Sequence, residues 1–207
     1  MEHRKLKVEE LGRLSVSDFR RAKPMPLIVV LDNVRSLYNI GSVFRTADAY
    51  RVEGVWLCGI SCAPSDAAQR AEAESDVAQS FFETRGGRAT YREVHKTALG
   101  AELSVPSRYF ADTRDALAEL RREGYTVLAV EQAEQSFSLP DFEPEAEKKY
   151  AVVLGHEVKG VQQEVIDEAD GCLELPQFGT KHSLNVSVTA GIVIWHFARR
   201  FFPALQG

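Results

Sequence analysis

The sequence predicts an α/β protein, a parallel sheet with helices on both faces, and three observations carry that prediction. Short apolar, β-branched runs alternate with segments whose apolar residues recur at helical spacing. The runs hold almost no polar residues, as strands do when both faces of a sheet are covered. Each is followed by a stretch rich in Gly, Asn, Ser or charge, the composition expected where ligands meet the carboxyl rim of an open sheet.

In chain order, "PLIVVLDNV" (26–34) reads as a buried strand beside two prolines. "NIGSVFRTADAYR" (39–51) sets Ile40, Val43, Phe44 and Ala47 on one helical face, with Asn39 as a candidate cap. "GVWLCGI" (54–60) is the next strand. "DTRDALAELRREG" (112–124) is an amphipathic helix opened by Asp112 and closed by Gly124. "YTVLAVEQ" (125–132) and "YAVVLG" (150–155) are strands, and "VQQEVIDEA" (161–169) is a helix before the strand "GCLELP" (171–176). From Leu184 an almost wholly apolar run forms the last helix, with Ser183 and Asn185 at its mouth as candidate caps. Two segments break this rhythm. Residues 1–25 read as a short helical arm, with a capped start in "SVSDFRRA", ahead of a domain spanning 26–207. Residues 64–93 are polar, Ala/Glu-rich and then Gly-rich, longer than a strand-to-helix link needs, and read as a mobile insertion.

The 207 residues, 44% apolar and 27% charged, suit a soluble chain with one good core. Lys and Arg interrupt every apolar run before the roughly 18 residues that span a bilayer. The start, "MEHRKLKVEELGRL", lacks the apolar core of a signal peptide, so a cytoplasmic location and no membrane partner are expected. Cys58, Cys62 and Cys172 then read as reduced thiols, and no further ligands stand at metal-binding spacing beside them, so no metal is expected. The net charge of −5 argues against coating nucleic acid through bulk positive charge. Residues 1–26 nevertheless carry seven Lys/Arg against four Asp/Glu, net +3 against −8 for the remainder. That end is either an ordinary solvated face or a local basic strip that meets phosphates.

Four rim stretches are candidates to build a composite pocket: "DNVRSLYNIGSVFRTA", "EQAEQS", "GHEVKG" and "PQFGTKHSLN". A dinucleotide is a poor ligand for them. No G-x-G-x-x-G or Walker loop joins a strand to a helix, and the first turn holds only Gly41.

"NIGSVFRTADA", "VLGHEVKGV" and "LPQFGTKHSLNVSVTAGIV" resemble the three ordered motifs of the SpoU (TrmH-like) branch of the SPOUT RNA methyltransferases, and the likeness extends over 26–63 and 94–202. The resemblance implies S-adenosyl-L-methionine as cofactor and the ribose 2′-hydroxyl of tRNA or rRNA as acceptor. It implies a homodimer whose active site is completed by both subunits, and a carboxyl-terminal trefoil knot that clasps the cofactor. Only RNA has the 2′-hydroxyl, so RNA rather than DNA follows.

Residue by residue, the resemblance gives Arg45 to the target ribose, beside Asn39 and Glu157 of the first two motifs. Arg45 is otherwise a solvent-facing helix arginine, and Glu157 a surface turn acid that on the functional reading orients Arg45 or a backbone amide. A guanidinium stays protonated, so Arg45 suits phosphate binding and alkoxide stabilisation better than general-base work. Ser183 and the Leu184 backbone match cofactor contacts, Asn185 lies near the reacting ribose, and Val130 and Leu175 wall the adenine. Gly155 lets backbone approach the cofactor without a Cβ. Lys96, Lys181 and His182 are either solvated or near RNA. His156 stands where Asn is common in the family. Longer members carry an RNA-binding domain where this chain has the short arm. Two rivals stay open: a catalytically inactive RNA-binding protein of the same fold, and a different transfer enzyme using another nucleotide ligand.

Overall fold

The computed structural model describes residues 4–61, 87–202 and 205. Cys62 and most of the 64–93 excursion lie outside the described residues, but the carboxyl end of that excursion belongs to a helix that starts at Gly87.

Seven parallel strands form one sheet in the order β3-β2-β1-β6-β4-β7-β5. They are β1 (Met25–Asp32), β2 (Val52–Cys58), β3 (Ser107–Phe110), β4 (Tyr125–Val130), β5 (Phe137–Ser138), β6 (Lys149–Leu154) and β7 (Gly171–Glu174). The greasy runs become strands because both faces are buried. Leu27, Val29 and Leu31 of β1 join one core with Phe44 and Phe197, while Ile28 and Val30 join the other with Leu117 and Val165. The first face is covered by α2 (Leu37–Ala49), α3 (Gly87–Ala98) and α7 (Val186–Phe201), the second by α5 (Thr113–Arg122) and α6 (Gln163–Glu168). The short helix α4 (Ala101–Ser104) precedes β3. The amino-terminal arm carries α1 (Val16–Arg21), whose Arg20 Nη2 donates to the Leu103 carbonyl at 2.6 Å while Phe19 packs on the core.

Helix boundaries follow local chemistry. Ser36, not Asn39, caps α2: its hydroxyl accepts from the Asn39 N–H at 3.3 Å. Asn185 alone caps α7, accepting from the Ser187 N–H at 2.9 Å, so that helix begins at Val186 and Ser183 stays outside it. Gly41 lets α2 meet α3 closely, since a Cβ there would lie 2.3 Å from the Val94 carbonyl oxygen. β1 is joined to β2 on one side and β6 on the other, and β4 lies beyond β6. The direction of winding therefore reverses beside β1, which opens a crevice at the carboxyl rim. Among the described residues no helix is long and apolar enough to cross a membrane.

Candidate active site

At that rim lies a cavity of about 830 Å³, within the range of small-ligand sites. Val130, Gly155, Leu175, Ser183 and Leu184 all line it, and so does Glu157. The loops after β4, β6 and β7 build its walls, as three of the four rim stretches predict. Leu154 and Leu173 add apolar wall, while Glu131, Glu134 and Asp167 contribute carboxylates.

The walls are held by backbone-directed side chains. Gly155 ends β6 where the chain folds back on itself. An added Cβ would lie 2.1 Å from the Gly160 carbonyl carbon and from the Val161 nitrogen. The glycine is thus required first by the protein's own returning loop, and only then by any ligand. His156 and Gly160 exchange backbone hydrogen bonds across that loop, at 3.0 and 2.8 Å. The His156 Nδ1 accepts from the Val158 N–H at 3.0 Å, the job an asparagine oxygen can do at the same place. Glu131, at the end of β4, accepts from the Val161 N–H at 3.0 Å and pins the loop from the other side. Gln132 Nε2 donates to the His182 carbonyl at 2.7 Å and ties the 176–185 segment to the β4 rim.

The first rim stretch does not line the cavity but is bonded to it through Glu157. That carboxylate accepts from the Arg35 N–H at 3.1 Å, the Ser36 N–H at 2.9 Å and Asn39 Nδ2 at 3.1 Å. Asn39 Oδ1 in turn accepts from Asn185 Nδ2 at 3.1 Å, and Asn185 Oδ1 accepts from the Ser187 N–H and hydroxyl at 2.9 and 2.6 Å. A carboxylate can only accept here, so it fixes which way Asn39 faces, and Asn39 fixes Asn185. Three residues that the sequence places in three separate motifs thereby form one directed chain. Burial, the largest influence, pushes the Glu157 carboxyl up, but the backbone donors and Asn39 together outweigh it and hold the group below the usual glutamate range.

Arg45 is not brought into this group. It is exposed on α2, does not line the cavity, and its side chain has no hydrogen bond or ion pair among the described residues. Six residues along an α-helix correspond to a rotation of roughly 240°, so Arg45 and Asn39 leave α2 in different directions. Of the two partners expected for Glu157, Arg45 or a backbone amide, the structure gives the second: Glu157 orients two backbone amides and Asn39, not Arg45. Lys96 pairs with Glu93 and stands 5.9 Å from the Tyr38 ring centre. Lys181 and His182 are exposed, and His182 lines the cavity.

Sequence reasoning missed Ser36, Glu131, Gln132 and, further back, Asp32. The buried Asp32 carboxylate accepts from the Thr113 hydroxyl at 2.6 Å and from the backbone and side-chain amides of Gln162 at 3.0 and 2.8 Å, joining β1 to the starts of α5 and α6. A lone acid ending an otherwise greasy strand was the signal for it.

Comparison with known proteins identifies the family. The model of the SpoU rRNA Methylase family matches residues 76–195. A tRNA (guanosine(18)-2′-O)-methyltransferase of Thermus thermophilus is 30% identical over 94% of this chain and 86% of its own length. The 23S rRNA (guanosine-2′-O-)-methyltransferase RlmB of Neisseria meningitidis is 30% identical over 82% of this chain and 56% of its own. Among solved structures, an AdoMet-bound rRNA methyltransferase from Sinorhizobium meliloti superposes with a TM-score of 0.67 at 25% identity, covering 88% of this chain and 62% of that one. This chain therefore belongs to the SpoU rRNA methylase family, the TrmH-like S-adenosyl-L-methionine-dependent RNA ribose 2′-O-methyltransferases.

Proposed function

We propose that this chain transfers a methyl group from S-adenosyl-L-methionine to a ribose 2′-hydroxyl of a structured RNA, tRNA or rRNA, and acts as a cytoplasmic homodimer. One observation carries the reading. All five residues that the family resemblance gives to the cofactor line a single cavity, with Glu157 in its wall.

The cavity suits that cofactor. Val130, Leu173 and Leu175 offer an apolar wall for an adenine, and Glu131, Glu134 and Asp167 offer carboxylates to a sulfonium and an ammonium. When bound, S-adenosyl-L-methionine supplies a methyl group on an excellent leaving group, displaced by the 2′-oxygen while the hydroxyl proton passes to solvent. The protein's share is positioning. Gly155 and Leu184 shape the pocket, and the Glu157–Asn39–Asn185 chain presents fixed amide groups beside it. Arg45, a permanent cation, holds the RNA phosphate and stabilises the developing alkoxide.

Since Arg45 does not line its own cavity, it serves the cavity of a second copy. Supporting this, α7 exposes an apolar stripe, Val188, Ile192 and Trp195, next to α2, where Trp195 meets Tyr50 edge-on at 5.6 Å. The knot belongs to the same proposal. In its favour, β6 is inserted between β1 and β4, and Gln132 holds the segment after β7 against the β4 rim.

The experiment is calorimetric titration with S-adenosyl-L-methionine, followed by labelled methyl transfer to tRNA and to ribosomal RNA from a strain lacking the gene. Binding with transfer to a 2′-oxygen is expected. Binding of RNA without transfer would mean the inactive RNA-binding rival, and failure to bind S-adenosyl-L-methionine would sink the reading altogether. tRNA comes first, because the Thermus thermophilus relative, matched over 86% of its length, is named for that substrate.

A further inference from the structure

The two most exposed large apolar side chains among the described residues are Phe178, 98% exposed, and Val158, 80% exposed; the next, Leu99, stands at 61%. Both belong to loops that bound the same cavity. Val158 lines it from the loop after β6. Phe178 lies on the segment after β7, directly after Gln177 and four residues before His182, both of which line it. Single apolar residues on a surface need no explanation, but two extreme ones on loops around one opening do. Each also has a lysine nearby, Lys159 next to Val158 and Lys181 three residues after Phe178. Both lysines are exposed, and neither has an ion-pair partner among the described residues. An aromatic ring in water with cations close by is the pattern that takes a nucleobase on its face and phosphates at its edge.

We propose that Phe178 stacks on a nucleobase adjoining the methylated nucleotide, with Val158 as the opposing lip of the mouth and Lys159 and Lys181 on the flanking phosphates. The inference rests on the methyltransferase reading and adds to it a residue that selects and positions RNA outside the three motifs' polar groups. Because Phe178 packs on nothing in the folded chain, its replacement leaves the core and the cavity walls in place.

The test uses the full chain with small RNA from a strain lacking the gene. For Phe178→Ala, KM for RNA is expected to rise about tenfold, as loss of one stacked base does. Its kcat and its affinity for S-adenosyl-L-methionine should stay at wild-type values. Phe178→Trp should restore KM, and its added emission, read against wild type, should be quenched as RNA is titrated in. An unchanged KM in Phe178→Ala would overturn the proposal. So would weaker binding of S-adenosyl-L-methionine, which would mean that the ring closes over the cofactor. A change of oligomeric state in Phe178→Ala would overturn it too, by making Phe178 a contact between copies. Wild-type protein that methylates no RNA would defeat the enzyme reading itself, an outcome distinct from active wild type with an indifferent Phe178→Ala.

Discussion

Burial pushes the Glu157 carboxyl up, but its own backbone N–H, those of Ser36 and Arg35, and Asn39 together outweigh burial and hold it below the usual glutamate range. A depressed carboxyl stabilises the fold above its unfolded pKa, about 4.3, and loses that contribution as pH falls through the lower folded value. The gap in thermal unfolding midpoint between wild type and Glu157→Gln should therefore be constant from neutral pH to about 5 and shrink below about 4.3. A gap that widened on acidification would contradict the assigned bonds. Cys58 gives a second test at this scale. Burial, against a Thr113 hydrogen bond and reinforced by Asp32, pushes its thiol up to about 12. The thiolate is the nucleophile, so Cys58 should resist alkylation in folded protein at pH 8 and react once denatured, read by peptide mass mapping.

The major elements were legible because burial on two faces leaves unbroken apolar runs, and β1, β2, β4 and β6 begin and end within about two residues of those runs. β3 was not legible. "SRYF" has no run, and it is held by long-range contacts: Arg108 lies over the Trp56 ring at 4.5 Å and pairs with Glu119 and Glu123. Two-residue β5 has no periodicity to read. The same divide marks the site. The polar motif residues stood out by type, but the partner of the Asn39 side chain is a glutamate 118 positions away, a pairing that no local pattern shows, while Ser36 takes the cap through the Asn39 backbone N–H. Asn39→Ala should leave α2 capped and cost about 1 kcal/mol in unfolding free energy, while orphaning Asn185 and lowering kcat by about tenfold or more. The loop after β6 is stricter. Gly155→Ala drives a methyl into the Gly160–Val161 backbone, so a loss of about 3 kcal/mol is expected with no cofactor binding, by denaturant titration and calorimetry. His156→Asn, which keeps an acceptor for the Val158 N–H, should be close to neutral in both assays.

At the scale of the whole molecule, Arg45 stands apart from the cavity. The cavity and the Glu157–Asn39–Asn185 chain lie together in one copy, while Arg45 is exposed on α2 and does not line that cavity. If a second copy brings its Arg45 to this cavity, the cavity and the arginine can be disabled separately and the two defects complement. Arg45→Ala keeps a working cavity. Ser183→Trp, which fills the cavity mouth from an exposed loop, keeps a working Arg45 and should lose cofactor binding by titration. Each variant alone is expected to be inactive. Mixed in equal amounts and allowed to exchange subunits, half of the dimers pair one variant with the other, and each such dimer has one complete site, so about a quarter of wild-type activity should return. An arginine serving its own cavity gives no recovery, because neither copy in the mixed dimer then holds both parts. Subunit exchange is checked with differently tagged copies, so that an inactive mixture of exchanged dimers counts against the shared site and not against the dimer.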